Sequence, residues 1–136
     1  MLFAATSVSA QQKDLPKFTS PYLGQQPPGM SLEIFAPGII STGHSECYPF
    51  FTLDGRELYF MLWGPPYNVI LHMREGKNGW TKPQIAPFFK KYDEKFCLSP
   101  DGKTIIIGSH RHRLSEGDER HKKPAIILVI RKEGDT

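Results

Sequence analysis

Apolar and polar residues alternate over short stretches, and Asp-Gly pairs mark the breaks. "RELYFML", Arg56 to Leu62, carries Leu58, Phe60 and Leu62 at every second position. That is the period of a strand with one face turned to a core. "KTIIIGS", Lys103 to Ser109, is β-branched and more continuously apolar, which predicts a strand buried on both faces. Each run is preceded by a hydroxyl residue and an Asp-Gly pair: Thr52 with Asp54-Gly55, then Ser99 with Asp101-Gly102. Such a pair between apolar runs predicts a hairpin loop. The aspartate accepts nearby backbone N–H groups, and the glycine takes the left-handed position that closes the turn. Asp54, Gly55, Asp101 and Gly102 are therefore expected to be turn residues rather than reactive ones.

The two runs align through their Asp-Gly pairs, which lie 47 residues apart. "NVILHMREGKNGW", from Asn68, aligns more weakly with "AIILVIRKEGDT", from Ala125, placing Arg74 on Arg131, 57 residues on. The difference is accounted for by a charged segment, Ser109 to Pro124. The unit that repeats is strand, Asp-Gly hairpin, strand, loop, third strand, glycine turn and an edge strand led by Trp80. This predicts an all-β chain of four-stranded antiparallel sheets, about one complete unit and most of a second. Before the first unit, Ile34-Phe35 and Ile39-Ile40 flank Pro37-Gly38, which reads as two short strands around a turn.

Composition changes this picture little. With 39% hydrophobic and 23% charged residues among 136, the chain has the make-up of a globular domain. Twelve Pro and twelve Gly favour many turns over long helices. A net charge of +3, gathered largely in Arg111 to Lys123 without interleaved aromatics, argues against a nucleic-acid surface. No run reaches the ~18 apolar residues of a membrane span. Residues 1–10 resemble the remnant of a signal peptide, with Val8-Ser9-Ala10 as a small-x-small cleavage site. This predicts a periplasmic or secreted protein. Residues 11–30 read as an extended Pro-rich leader and residues 31–136 as the folded part. In an exported protein a Cys47–Cys97 disulfide is permitted, and the sequence leaves it open.

At this point the residues resemble a known family. "FTLDGRELYF" and "LSPDGKTIII" are similar to the WD40-like (PD40), TolB-type β-propeller repeat, marked by a Ser-Pro-Asp-Gly-Lys turn between two strands. The resemblance covers roughly Glu33 to the C-terminus. It implies blades of four-stranded antiparallel sheets in a ring of six or more. This chain would then be part of a longer protein, or would pair with other copies.

The resemblance also says where to look for function. In a propeller the leading ends of the innermost strands meet at the mouth of the channel, and "HSEC" and "YDEK" hold that place. His44, Glu46, Asp93 and Glu94 are accordingly the candidate contacts for a protein partner or small ligand. His110, His112 and His121 are weaker candidates for a metal, since three converging ligands are the minimum for such a site. Trp63 and Trp80 are expected to pack between sheets. The motifs of serine hydrolases, zinc peptidases and phosphate loops are absent from the sequence. No catalytic residue and no cofactor is assigned, and the expectation is a non-catalytic binding module. The competing readings are part of a propeller lyase or hydrolase acting on polysaccharide, and a propeller that accompanies a peptidase.

Overall fold

Two antiparallel sheets pack face to face in the computed structural model, which describes residues 21–27, 29–66, 68–110 and 125–131. The first is built from β1 (Ser45–Phe51), β2 (Glu57–Trp63), β3 (Val69–Gly76), β4 (Gly79–Trp80) and β5 (Gln84–Ile85). β1, β2 and β3 pair in order, and both β4 and β5 pair with β3. The fourth position of this sheet is thus filled by two two-residue pieces rather than by one Trp80-led strand. The second sheet contains β6 (Asp93–Leu98), β7 (Thr104–Ser109) and β8 (Ile126–Arg131), paired in that order. The described residues are all-β, with every ladder antiparallel.

The two Asp-Gly turns are closed by the same bonds. Gly55 N–H donates to the Thr52 carbonyl at 2.9 Å and Arg56 N–H to Asp54 Oδ1 at 3.0 Å. Glu57 N–H donates to the Thr52 hydroxyl oxygen at 3.0 Å, while that hydroxyl donates to Asp54. In the second turn Gly102 donates to the Ser99 carbonyl at 2.8 Å, Lys103 to Asp101 at 3.0 Å and Thr104 to the Ser99 hydroxyl at 3.0 Å. Gly55 and Gly102 both sit at φ +69°, a region where a side chain is strained. Gly102 also lies beside Leu53 of the first turn, so the two hairpin corners are neighbours.

The Asp101 carboxyl is held below its ordinary 3.8, first by the Ser99 hydroxyl and then by the Lys103 N–H. A lowered folded-state value means that the folded chain binds fewer protons than the unfolded chain in acid. The carboxylate's contribution is therefore complete above about pH 4 and is lost as pH falls through the folded value. Urea denaturation of wild type and Asp101→Asn should show a gap in stability at pH 6 that narrows as pH falls below about 4. A gap that persists in acid would mean that the ionised carboxylate is not what holds the turn.

Pairing in the second sheet follows the first at the same offsets. Leu58 faces Met73 as Ile105 faces Ile130, and Phe60 faces Leu71 as Ile107 faces Leu128. Glu46 faces Leu62 as Asp93 faces Ser109. Both first strands carry a register shift, between Cys47 and Phe50 in β1 and between Asp93 and Lys95 in β6.

The core has two layers. Tyr59, Met61, Ile70 and Ala86 of the first sheet and its following loop meet Phe96, Ile105 and Ile107 of the second. Phe50 crosses edge-on to Phe96 at 5.4 Å between ring centres. On the other face of the first sheet, Leu58, Phe60 and Met73 are covered by Leu23, Ala36 and Ile40. The residues read as a leader thus enter the core at Leu23. The Gln25 side chain ties that turn to the chain ahead, accepting from Ala36 N–H at 2.8 Å and donating to the Ile34 carbonyl at 3.1 Å.

Three expectations are corrected here. Residues 34–40 do not form two strands. Ala36 and Gly38 have φ of +43° and +78°, and Ile39 and Ile40 N–H both donate to the Ala36 carbonyl. The segment curls so that Ala36 and Ile40 point into the core, leaving only an isolated Pro37–Ser41 bridge. Burial on both faces belongs to β2, whose first five residues are all buried, and not to β7, where burial alternates. The reason is tertiary: one face of β2 packs on the second sheet and the other is covered by Leu23, Ala36 and Ile40, whereas among the described residues β7 packs through the face of Ile105 and Ile107. Finally, Trp80 does pack, edge-on to Phe51 at 6.2 Å, but Trp63 is 50% exposed at the end of β2.

Candidate functional site

"HSEC" and "YDEK" do not precede their strands, since Ser45–Cys47 open β1 and Asp93–Lys95 open β6. The two strands contact one another across the packed sheets. What each candidate side chain does there differs.

Glu46 is spent locally. Its Oε1 accepts from Thr42 N–H at 3.0 Å and from the Thr42 hydroxyl. The hydroxyl bond, ahead of the N–H bond, holds this exposed carboxyl below its ordinary 4.5. It stays ionised near neutrality, which suits a turn clasp and not a general acid. Asp93 is 1% exposed, and its Oδ2 accepts from Lys90 N–H at 2.9 Å, closing the loop into β6. Glu94 is directed at a histidine: its Oε1 lies 3.4 Å from His110 Nε2. His110 N–H donates to the Tyr92 carbonyl at 3.1 Å, extending the β6–β7 ladder by one rung.

His44 is different, because it opens onto space. It lines a cleft of about 530 Å³ with Ser45, Leu62, Trp63, Pro65 and Val69. Three local features build this cleft. Ser45 and Trp63 are cross-strand partners at the open end of β1–β2. Gly64, Pro65 and Pro66 leave β2 and lie in the connection to β3, where the strand pairing is interrupted. The Asn68 side chain, buried, accepts from Gly64 N–H at 3.4 Å and fixes that connection.

Trp63 is the residue that the sequence reading placed elsewhere. The signal was an aromatic residue ending an apolar run directly before Gly-Pro-Pro, where the strand has to stop. Its position also matters in the second sheet, since 47 residues on stands His110. The two sheet ends therefore present different groups: an indole and an imidazole in the first, and a histidine–carboxylate contact in the second.

For metal, His110 stands with Glu94, while His112 and His121 lie outside the described residues. Among the described residues no three His, Cys, Asp or Glu side chains converge on a common point. Cys47 and Cys97 are free thiols, and burial pushes the Cys47 thiol up, away from the reactive thiolate. No helix among the described residues is long and apolar enough to cross a membrane. No family model, curated protein or solved structure matches the chain.

Proposed function

We propose that the chain is a non-catalytic, exported binding module of the β-propeller type, which contacts a protein partner or small ligand at the leading ends of its first strands. One observation carries this reading. The face by which the first sheet packs on the second has a counterpart on the second sheet, and that counterpart is open. Ile70 is fully buried in the interface; Ile127, 57 residues on, is 69% exposed. His72 and Tyr59 stack within the same face, 4.7 Å between ring centres, and their counterparts are Val129, 63% exposed, and half-buried Ile106.

The opposite faces correspond as well. Leu58 and Phe60 match Ile105 and Ile107, and all four are buried. Each sheet therefore carries one apolar face of each kind, and the contact between them is head-to-tail. Contacts of this kind repeat from unit to unit and close into a ring where the rotation between units allows it. A ring of this kind would gather the polar strand ends at one mouth, where a partner can be read, and the turn bonds of Glu46 and Asp93 hold those ends. Glu46 and Asp93 are taken up by turn bonds, while Glu94 stands 3.4 Å from His110 as the histidine–carboxylate contact of these ends.

The stacking face is tested by sedimentation of the 136-residue chain with and without Ile127→Asp and Val129→Asp together. Wild type is expected to associate with rising concentration, and the double variant to remain monomeric with a thermal midpoint within about 3 °C. A wild-type chain that stays monomeric at tens of micromolar would remove the support for stacking. Export predicts cleavage after Ala10, read from the intact mass of the protein recovered from cells.

A further inference from the structure

We infer that the cleft at the open end of β1–β2 is a binding site for an uncharged saccharide ring, with Trp63 as its platform. The inference rests on the binding-module reading and names the ligand class of one of its strand ends. Four observations lead to it.

Trp63 leaves half its surface in solvent at a strand end, while Trp80 is packed against Phe51. An indole held in the open by a paired strand offers a rigid apolar face with one N–H at its edge. Beside the indole, the cleft lining combines the apolar side chains of Leu62, Val69 and Pro65 with the polar ones of Ser45 and His44. Among the described lining residues His44 is the one ionisable group, and the lining holds no carboxylate, lysine or arginine to pair with a charged ligand. At about 530 Å³ the cleft is within the usual range for small-ligand sites.

A sugar ring matches this division. Its C–H face is apolar enough to lie on an indole, and its hydroxyl edge pairs with a serine hydroxyl and an imidazole, each able to donate or accept. A cationic ligand would need more than one aromatic wall or a carboxylate. A polyproline segment docks between aromatic ridges, whereas here a single indole faces the chain's own prolines.

The test uses the full chain and follows the indole N–H resonance of Trp63 by NMR. The probes are neutral hexaoses of β-1,4-glucose, α-1,4-glucose and β-1,4-xylose, with decaproline as the competing ligand. One hexaose is expected to shift the Trp63 resonance with Kd on the order of 1 mM, the affinity that one stacked ring of about a dozen heavy atoms supports. Trp63→Ala should weaken binding at least tenfold, and Trp63→Phe should retain part of it. The amide spectrum of each variant shows that the sheet is intact. The inference is overturned by no hexaose shifting Trp63, by binding unchanged in Trp63→Ala, or by decaproline moving Trp63 where the hexaoses do not. Binding that moves only Glu94 and His110 also overturns it, yet leaves the module reading standing.

Discussion

Ile70→Ala is expected to destabilise the fold by about 3–4 kcal/mol, and Ile127→Ala, at the matching position of the second sheet, by less than about 1 kcal/mol. The two residues have the same side chain and the same place in a third strand. They differ in what covers them. Ile70 is wholly buried, opposite Met61 in the ladder and against the second sheet, so truncation leaves a cavity that neighbours on both sides cannot fill. Ile127 is 69% exposed, so little is removed from water there to begin with. Urea denaturation at low protein concentration reads both changes. Equal costs would mean that the outer face of the second sheet is already covered in solution, and the head-to-tail argument would then have to name what covers it.

That contrast also marks how far the sequence could be read. The Asp-Gly corners were legible because everything that makes them is local: a hydroxyl, a carboxylate and a glycine within four residues, closed by bonds among themselves. Strand order followed from the same corners. Burial was not legible from the pattern of each run alone. "KTIIIGS" is the more continuously apolar sequence, yet β2 is the strand with both faces covered, because Leu23, Ala36 and Ile40 come back over it. That covering depends on a segment full of Pro and Gly, whose positive φ values at Ala36 and Gly38 curl it where alternating Ile and Phe suggested strands. At the strand ends, the carboxylates stood out in the sequence because they are charged. In the fold Glu46 and Asp93 hold turns, while His44 shares the open cleft with Trp63, which was expected to pack between sheets. Cross-strand pairing of Ser45 with Trp63 joins them, and that register is set by a bulge no single strand reveals.

The register also assembles a polar group that neither strand announces. Arg74→Ala is expected to cost about 1–3 kcal/mol, and adding Glu57→Gln to it is expected to restore part of the loss. Glu57 and Arg74 are cross-strand partners, with Nη2 2.9 Å from Oε1. The Glu57 side chain is 11% exposed and that of Arg74 54%, so the carboxylate is desolvated while half of the guanidinium remains in water. Solvent screening on the arginine side keeps the cost below that of a fully buried pair. The second carboxylate oxygen accepts from the Tyr59 hydroxyl at 2.9 Å. Burial, then Glu57, pushes the Tyr59 phenol well above its ordinary 10, so it stays a donor across the working pH range. Removing Arg74 takes away the positive charge against a nearly buried negative one. Glu57→Gln then removes that negative charge while keeping an oxygen for Tyr59. A double variant more stable than Arg74→Ala alone, read by urea denaturation, is the signature of a charge held in place by its partner. If the two losses simply add, Arg74 contributes through the packing of its stem, and the ladder from Glu57 through Tyr59 to the stacked His72 is held by apolar contact instead.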